Sequence, residues 1–294
     1  MPPKPNANSP VRTSLLLFPP VAIVYGIHRG LTYLEAKYPP LPPEQTTSIA
    51  LRTPSKPSTQ RCAYVDVYAA RIPLRILERK ARSLQNGRTK ISRDSKREME
   101  ITSQDLQEAW ARALLRCRIL RAQEKLFSLF NKDNGSLNEA NNDALDMGFV
   151  VERTPAVSNN KPSSQLDSES EFGYLVSWKM APEPREFFEK ISQHGYPWRL
   201  MSGGRHELSV SQPFPPSRTG EVASIPDDVM GEQCIVEVRF ASAHDYEVVP
   251  AEEELEDQKT IPKWTGRLHR GYARLLLDQA VRELEVEDSE GSHR

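Results

Sequence analysis

A chain of 294 residues with a net charge of −1 has room for one large domain or two small ones, and it presents no global field that gathers nucleic acid or acidic lipid. Its hydrophobic content is 38% with 24 prolines, below the roughly 45–50% of globular domains on a measure that also counts glycine, so a folded domain diluted by unpatterned segments is expected. The three cysteines, Cys62, Cys117 and Cys234, lie far apart and in no CxxC or Cys/His ligand spacing, which argues against a disulfide framework or a structural metal site and for free thiols in a reducing compartment.

Residues 1–60 are Pro-rich and predict a disordered arm. Within them Leu15–Ile27 is an apolar run of about 13 residues, whereas a spanning helix needs about 20. Pro19 and Pro20 are expected to break any helix there. Lys4 and Arg12 precede the run, and no acid occurs before Glu35. Two outcomes stay open: the run packs on the domain of a cytoplasmic protein, or residues 15–27 contact a membrane or carry mitochondrial targeting.

Tyr64–Tyr68 reads as a first strand. Arg71–Glu100 is charged without interleaved aromatics, which predicts a solvated helix and a loop and no nucleic-acid partner. Thr102 and Asp105 match a capping box. Leu106, Trp110, Ala113, Leu114, Cys117, Leu120 and Phe127 follow at helical spacing, predicting one long helix to about Phe130. Residues 131–146 read as a polar loop, whose Asn134-Gly135-Ser136 glycosylation match is taken as accidental. Gly148–Arg153 is a short strand, 157–171 a loop, and Tyr174–Met180 a strand with a large apolar face. A short helix carries Phe187, Phe188 and Ile191 and ends near Gly195.

Trp198–Ser202 and Arg205–Val210 predict a hairpin across Gly203-Gly204, because paired glycines accept the positive φ of a tight turn. After a 213–233 loop, Ile235–Phe240 is a strand with His244–Glu247 just beyond its end. From Pro262 onward, Trp264, Leu268, Tyr272, Leu275, Leu276, Ala280 and Leu284 predict an amphipathic C-terminal helix. The helix is expected to cover Val176, Trp178, Leu208, Val210, Val236 and Val238. Residues 286–294 form an acidic tail.

The segments GRHELSV (Gly204–Val210), VEVRF (Val236–Phe240) and WTGRLHRGYARLLLDQAVREL (Trp264–Leu284), with the Leu106–Phe130 helix followed by GFVVERTP (Gly148–Pro155), resemble the START-like (SRPBCC) helix-grip superfamily. The Pro-rich arm and loop insertions look like those of a filamentous-fungal branch. The resemblance implies an α+β fold in which a curved antiparallel sheet is packed by a long amphipathic helix and a C-terminal helix. The domain would span 61–285, with loop insertions at 80–100, 131–146, 157–171 and 213–233. The resemblance also implies an internal cavity for an apolar small molecule, and it transfers no catalytic residue.

His206 shares strand phase with Leu208 and Val210, so it faces the core if they do, with Glu207 opposite. An inward imidazole serves either as a general base or as a hydrogen-bonded core residue. His244 beside Asp245, Tyr246 and Glu247 offers proton transfer or a capped turn. His206, His244 and Asp245 are therefore the catalytic candidates. Arg199 and Arg205 can receive a carboxylate or phosphate bidentately, although the glycines between them lack a phosphate-loop context. Trp178, Trp198, Tyr246 and Glu247 complete the ligand-binding candidates, with core packing as the alternative for the aromatics. No metal site and no cofactor is expected, since a third ligand is missing beside the two histidines.

Three functions fit these patterns. The first is binding of an apolar small molecule. The second is isomerase, cyclase or hydrolase chemistry on such a ligand, in the manner of fungal secondary metabolism, through His206 or His244 with Asp245. The third is a non-catalytic scaffold that makes contact through the basic Arg71–Arg97 and acidic Glu252–Asp257 segments.

Overall fold

The computed structural model describes residues 10–89, 100–130, 149–155, 173–216, 234–252 and 254–291. The Asn134-Gly135-Ser136 motif and most of the expected loop insertions lie outside the described residues.

Period-two apolar patterning produces β1 (Gln60–Pro73), β2 (Val150–Arg153), β3 (Tyr174–Lys179), β4 (Gly203–Val210) and β5 (Ile235–Glu247). They form one curved antiparallel sheet in the order β1-β5-β4-β3-β2. The helices are α1 (Pro10–Lys37), α2 (Pro43–Thr46), α3 (Ile49–Arg52), α4 (Leu74–Thr89), α5 (Ser103–Leu115), α6 (Arg118–Phe130), α7 (Pro182–Gln193) and α8 (Lys263–Gly291). Helices α4 to α6 sit between the first two strands of the chain, and α8 closes it. The fold is α+β, as expected.

The sheet has two unlike faces, because alternate side chains point opposite ways. Tyr68, Ile72, Val176, Leu208, Val210, Val236, Val238 and Phe240 form the front. They pack with Leu77, Trp110, Leu114, Leu115, Leu277, Ala280 and Leu284 into the main core. Val67, Leu175, Ala241 and Ala243 form a smaller cluster on the back, covered by Leu51.

Two helices divide the front face that α8 alone was expected to cover. Helix α5 lies over β3 and β4, and α8 over β1 and β5. The Gln107 side chain fastens α5 by accepting from the Val210 amide at 2.9 Å and donating to the Val210 carbonyl at 3.0 Å. Trp110 Nε1 donates to the Arg239 carbonyl at 2.9 Å. In α8 the buried stripe is Ala273, Leu276, Leu277, Ala280, Val281 and Leu284, whereas Trp264 is 64% exposed and Leu268 and Leu275 also face outward.

The capping box at Thr102 and Asp105 is present. The single helix expected to follow is two. Arg116 leaves helical geometry (φ −106°, ψ 11°), and Glu283 of α8 accepts from the Arg118 amide at 2.9 Å, capping a new first turn. The expected hairpin at Gly203-Gly204 is also absent, because both glycines lie inside β4. A Cβ there would stand 2.5 Å from the Trp178 carbonyl oxygen at Gly203 and 2.4 Å from the Ala243 carbonyl oxygen at Gly204. The pair therefore serves close strand approach, and the positive φ belongs to Gly195, at 92°.

Residues 10–60 of the expected arm contain three helices, and its first nine residues lie outside the described residues. Helix α1 spans Pro10–Lys37 and so continues through positions 19 and 20, where a break was expected. Leu34 and Tyr38 enter the main core, and α2 and α3 cross the back of the sheet. Among the described residues no helix is long and apolar enough to cross a membrane. At the other end α8 runs to Gly291, into the expected tail, where Asp288 pairs with Arg79 and Glu287 with Lys80.

Candidate functional site

The helix-facing phase of the central strands carries polar residues near one end of the sheet. Across β4, β5 and β1, His206 stands opposite Ser242 and Ser242 opposite Asp66; in the next row Gly204 stands opposite His244 and His244 opposite Tyr64. Helix α8 lowers His269 onto this patch. His269 lies on the buried stripe of α8, four residues before Ala273 and seven before Leu276.

His244 Nε2 and His269 Nε2 approach to 2.6 Å, with ring centroids 4.4 Å apart and planes at 75°. Such a contact needs one protonated and one bare nitrogen, so the two imidazoles hold a single proton on this line. Ser242 Oγ is 3.4 Å from His244 Nε2. Trp178 packs edge-on to His244 at 6.5 Å and stacks on His206 at 6.4 Å. Phe240 and Phe149 complete the surround of His206 at 5.1 and 5.6 Å.

Burial depresses all three imidazoles. His206 falls to about 3, with a smaller contribution from His269. His244 lies well below its ordinary value through burial and then its neighbours His269 and His206. His269 is lowered by burial and Arg270. At neutral pH the cluster is uncharged. Asp66 is pushed up by burial, an effect that Arg270 and Arg274 oppose.

A partly enclosed pocket of about 160 Å³ lies against this cluster, between the sheet and the first turns of α8. Tyr64, Asp66 and His244 form its floor, Gly266, His269 and Arg270 its roof, and Ile261, Pro262 and Lys263 its end wall. Tyr246, buried on the same face, holds that wall by accepting from the Ile261 amide at 3.4 Å. It meets Tyr64 edge-on at 6.3 Å.

The sequence-derived candidates divide among three places. His206, His244 and Trp178 come together on the front, and Tyr246 supports the pocket. His244–Glu247 belong to β5 and do not follow it, since β1 pairs with β5 as far as Glu247. Asp245 therefore points to the back, where Arg205 Nη2 donates to it at 2.6 Å. It cannot act with either histidine. Arg205 is itself spent: it is 1% exposed and its other Nη donates to the Ala50 carbonyl at 3.1 Å. Trp198 stacks with Phe188 and Tyr196 beside α7. Arg199 Nη2 donates to the Glu247 carbonyl and the Glu252 carboxylate, each at 3.1 Å, and Glu247 accepts from Gln60 at 2.8 Å. Arg199 and Glu247 line a second, mixed-charge cleft of about 530 Å³.

The scaffold surfaces are partly consumed inside the molecule. Arg79 and Lys80 pair with α8, Arg71 with Glu237, and Glu252 with Arg199. Asp66 and His269 were missed in the sequence. The signal was present for both: a carboxylate in phase with Tyr64 and Tyr68 on β1, and a histidine on the buried stripe of α8. Among the described residues no three His, Cys, Asp or Glu side chains are grouped to hold a metal ion. Comparison of the chain with protein-family models, with curated proteins and with solved structures finds no match.

Proposed function

We propose that the protein binds a small, largely apolar molecule carrying one polar group, in the pocket between β1, β5 and α8. The observation that carries this is the neutral His244–His269 pair on the pocket wall. Two imidazoles sharing one proton offer a donor or an acceptor to a hydroxyl or carbonyl without placing a charge in a buried site. A volume of about 160 Å³ resembles the about 150 Å³ apolar cavity that holds benzene, so the pocket suits one ring or a short chain end. The helix-grip resemblance implies an internal cavity for an apolar ligand, and the pocket beneath α8 is the one proposed for it. The lining is mixed: Ile261, Pro262 and the Tyr64 ring are apolar, and Asp66, His244, Lys263, His269 and Arg270 supply convergent polar groups, which fix orientation in ligand sites.

The direct test is thermal shift with native mass spectrometry against fatty acids, sterols and polyketides. A bound ligand should raise the melting temperature, and His244→Phe with His269→Phe should remove that rise. A panel in which nothing binds, or binding unchanged in the double variant, would overturn the proposal.

A second reading, proton-transfer catalysis on the same ligand, draws support from the same pair. An uncharged imidazole offers a bare nitrogen to a substrate proton, and Asp66, whose pKa burial raises, lines the same pocket. His269→Gln that retains binding yet abolishes turnover of a bound compound would separate catalysis from binding. Full turnover in that variant would remove the pair from the chemistry.

A further inference from the structure

Residues 21–30 of α1 are all exposed. Val21 is 63% exposed, Ile23 62%, Val24 67%, Tyr25 62% and Ile27 48%. Successive residues turn by about 100° around a helix, so these five large side chains span about 200° of the cylinder, with only Ala22 and Gly26 on the remainder and no charged side chain between Val21 and Ile27. An exposed apolar arc that wide, with no charged residue inside it, is the kind of helix face that lies in a membrane interface.

The placement of this segment is fixed by its packing on α8. Arg267 contacts His28, Thr32 and Glu35. A Cβ on Gly271 would meet Leu31. Arg274 donates to the Tyr38 carbonyl, and Asp278 accepts from Lys37 and Tyr38. The contacts advance along both helices together, so α1 and α8 run parallel, and the part of α1 before His28 projects past the start of α8. That is the end where Trp264 stands 64% exposed and where Ile261, Pro262 and Lys263 wall the pocket.

We propose that α1 before His28 docks this end of the molecule into a lipid bilayer containing anionic lipid, and that the pocket draws its ligand from the membrane. The ligand class is then a membrane-dissolved amphiphile; this second half rests on the pocket reading. Charge favours the partner: Lys4, Arg12, His28 and Arg29 flank the run and no acid precedes Glu35, which is itself paired with Arg267, while Lys263 and Arg270 lie on the adjoining turns of α8. Basic residues at a membrane surface strengthen binding to anionic lipid. Trp264, Tyr25 and Tyr33 are of the kind that sits at the headgroup level. The run Leu15–Ile27 is about 20 Å long at 1.5 Å per residue, against a hydrocarbon core of about 30 Å, so it enters the bilayer without crossing it.

The test is flotation of the full chain with phosphatidylcholine vesicles and with vesicles that also contain phosphatidylserine. The wild type should float with the mixed vesicles and less with the neutral ones. Val24→Asp with Ile27→Asp should lower the partition at least tenfold, since burying a Val or Ile side chain is worth roughly that much or more. Both positions are exposed, Val24 by 67% and Ile27 by 48%, so the variant should keep its melting temperature. A wild type that stays unbound with both vesicle types, or a variant that floats like the wild type, overturns the docking. His269→Phe should float normally. Flotation without any ligand binding would overturn delivery from the membrane and the pocket reading, and ligand binding without flotation would overturn only the docking.

Discussion

His244 and His269 stand 25 positions apart in the chain and meet Nε2 to Nε2 at 2.6 Å, joining the middle of the sheet to the helix that closes over it. The contact needs one bare Nε2, so at least one of the two rings must be neutral, and with His206 it makes three imidazoles whose affinity for protons is lower folded than unfolded.

The sign of the resulting pH dependence follows directly. An unfolded histidine takes up its proton near pH 6.5, and a folded one with a depressed pKa does so only at lower pH, so the unfolded state binds more protons between the two values. Stability is full above about pH 7 and declines as pH falls through 6.5, by about 1.4 kcal/mol per pH unit for each histidine held neutral. Asp66, Asp245 and Glu207, with raised pKa values, act oppositely as pH falls from their raised folded values towards their unfolded ones. Melting temperature should therefore fall between pH 6.5 and 5, and His206→Phe, placed among Phe149, Phe240 and Trp178, should flatten the slope. An unchanged slope in that variant would show that His206 takes no part.

On the back of the sheet Glu207 is 1% exposed. It accepts from the Ser48 amide at 3.2 Å, from the Ser48 hydroxyl, and from Arg153 at 3.0 Å. Ser48 also caps α3, so one carboxylate ties the arm to the sheet. Glu207→Ala should cost about 2–4 kcal/mol, slightly under the usual loss for breaking a buried ion pair, because Arg153 keeps some access to water. Chemical denaturation measures the loss, and limited proteolysis should now cut near Thr53. Resistance to cleavage equal to that of the wild type would mean that Leu51 and its neighbours hold the arm unaided.

Asp245→Asn separates structure from chemistry. Its carboxylate neutralises the fully buried Arg205, and removal of one buried partner typically costs about 3–5 kcal/mol, somewhat less where an amide can still accept. The variant should melt at a lower temperature while binding the pocket ligand as tightly as the wild type. Weakened binding in protein that is still folded would contradict the assignment of Asp245 to the back face.

Periodicity made the strands and the capped helices legible, because side-chain phase along a single element needs no knowledge of its neighbours. The inward direction of His206 followed from Leu208 and Val210 in this way. What stayed hidden depended on partners remote in sequence. Gly203-Gly204 has the composition of a turn, and only the carbonyls of Trp178 and Ala243, drawn close by pairing, explain glycine inside a strand. The helix break at Arg116 depends on Glu283 of α8. Strand β5 extends past Phe240 because β1 pairs along its full length, and that pairing turned Asp245 away from the site. His269 and Asp66 were readable as polar residues on apolar phases, but their meeting with His244 is a property of tertiary packing.

Gly204→Ala tests this use of glycine. The added Cβ would lie 2.4 Å from a backbone oxygen and 3.0 Å from Trp178 Nε1, so the strands must part or the indole must move. A cost of about 1–3 kcal/mol, the usual range for overpacking, is expected in denaturant titration. Because Trp178 touches both His206 and His244, its fluorescence should shift as well. A variant with wild-type stability and an unshifted spectrum would show that the sheet relaxes freely at this position.

Helix α8 gives the sharpest contrast between two truncations. A chain ending at Glu285 loses the pairs Lys80–Glu287 and Arg79–Asp288 and the exposed Val286. Surface pairs of this kind are worth about 0–1 kcal/mol each, so the shortened protein should stay soluble and melt cooperatively, a few degrees lower at most. A chain ending before Thr260 instead removes Ala273, Leu276, Leu277, Ala280, Val281 and Leu284 from the main core and uncovers β1, β5 and the inner sides of α4 and α5. One buried leucine deleted to alanine costs about 2–5 kcal/mol, and a whole domain is stable by only about 5–15 kcal/mol. The loss of three leucines, their neighbours, and the Asp278 and Arg274 contacts that hold α1 exceeds that margin. This shorter chain should therefore be recovered only in the insoluble fraction. A soluble fragment with a cooperative melt would mean that α5 alone can cover the sheet and that α8, with the pocket beneath it, is peripheral to the fold.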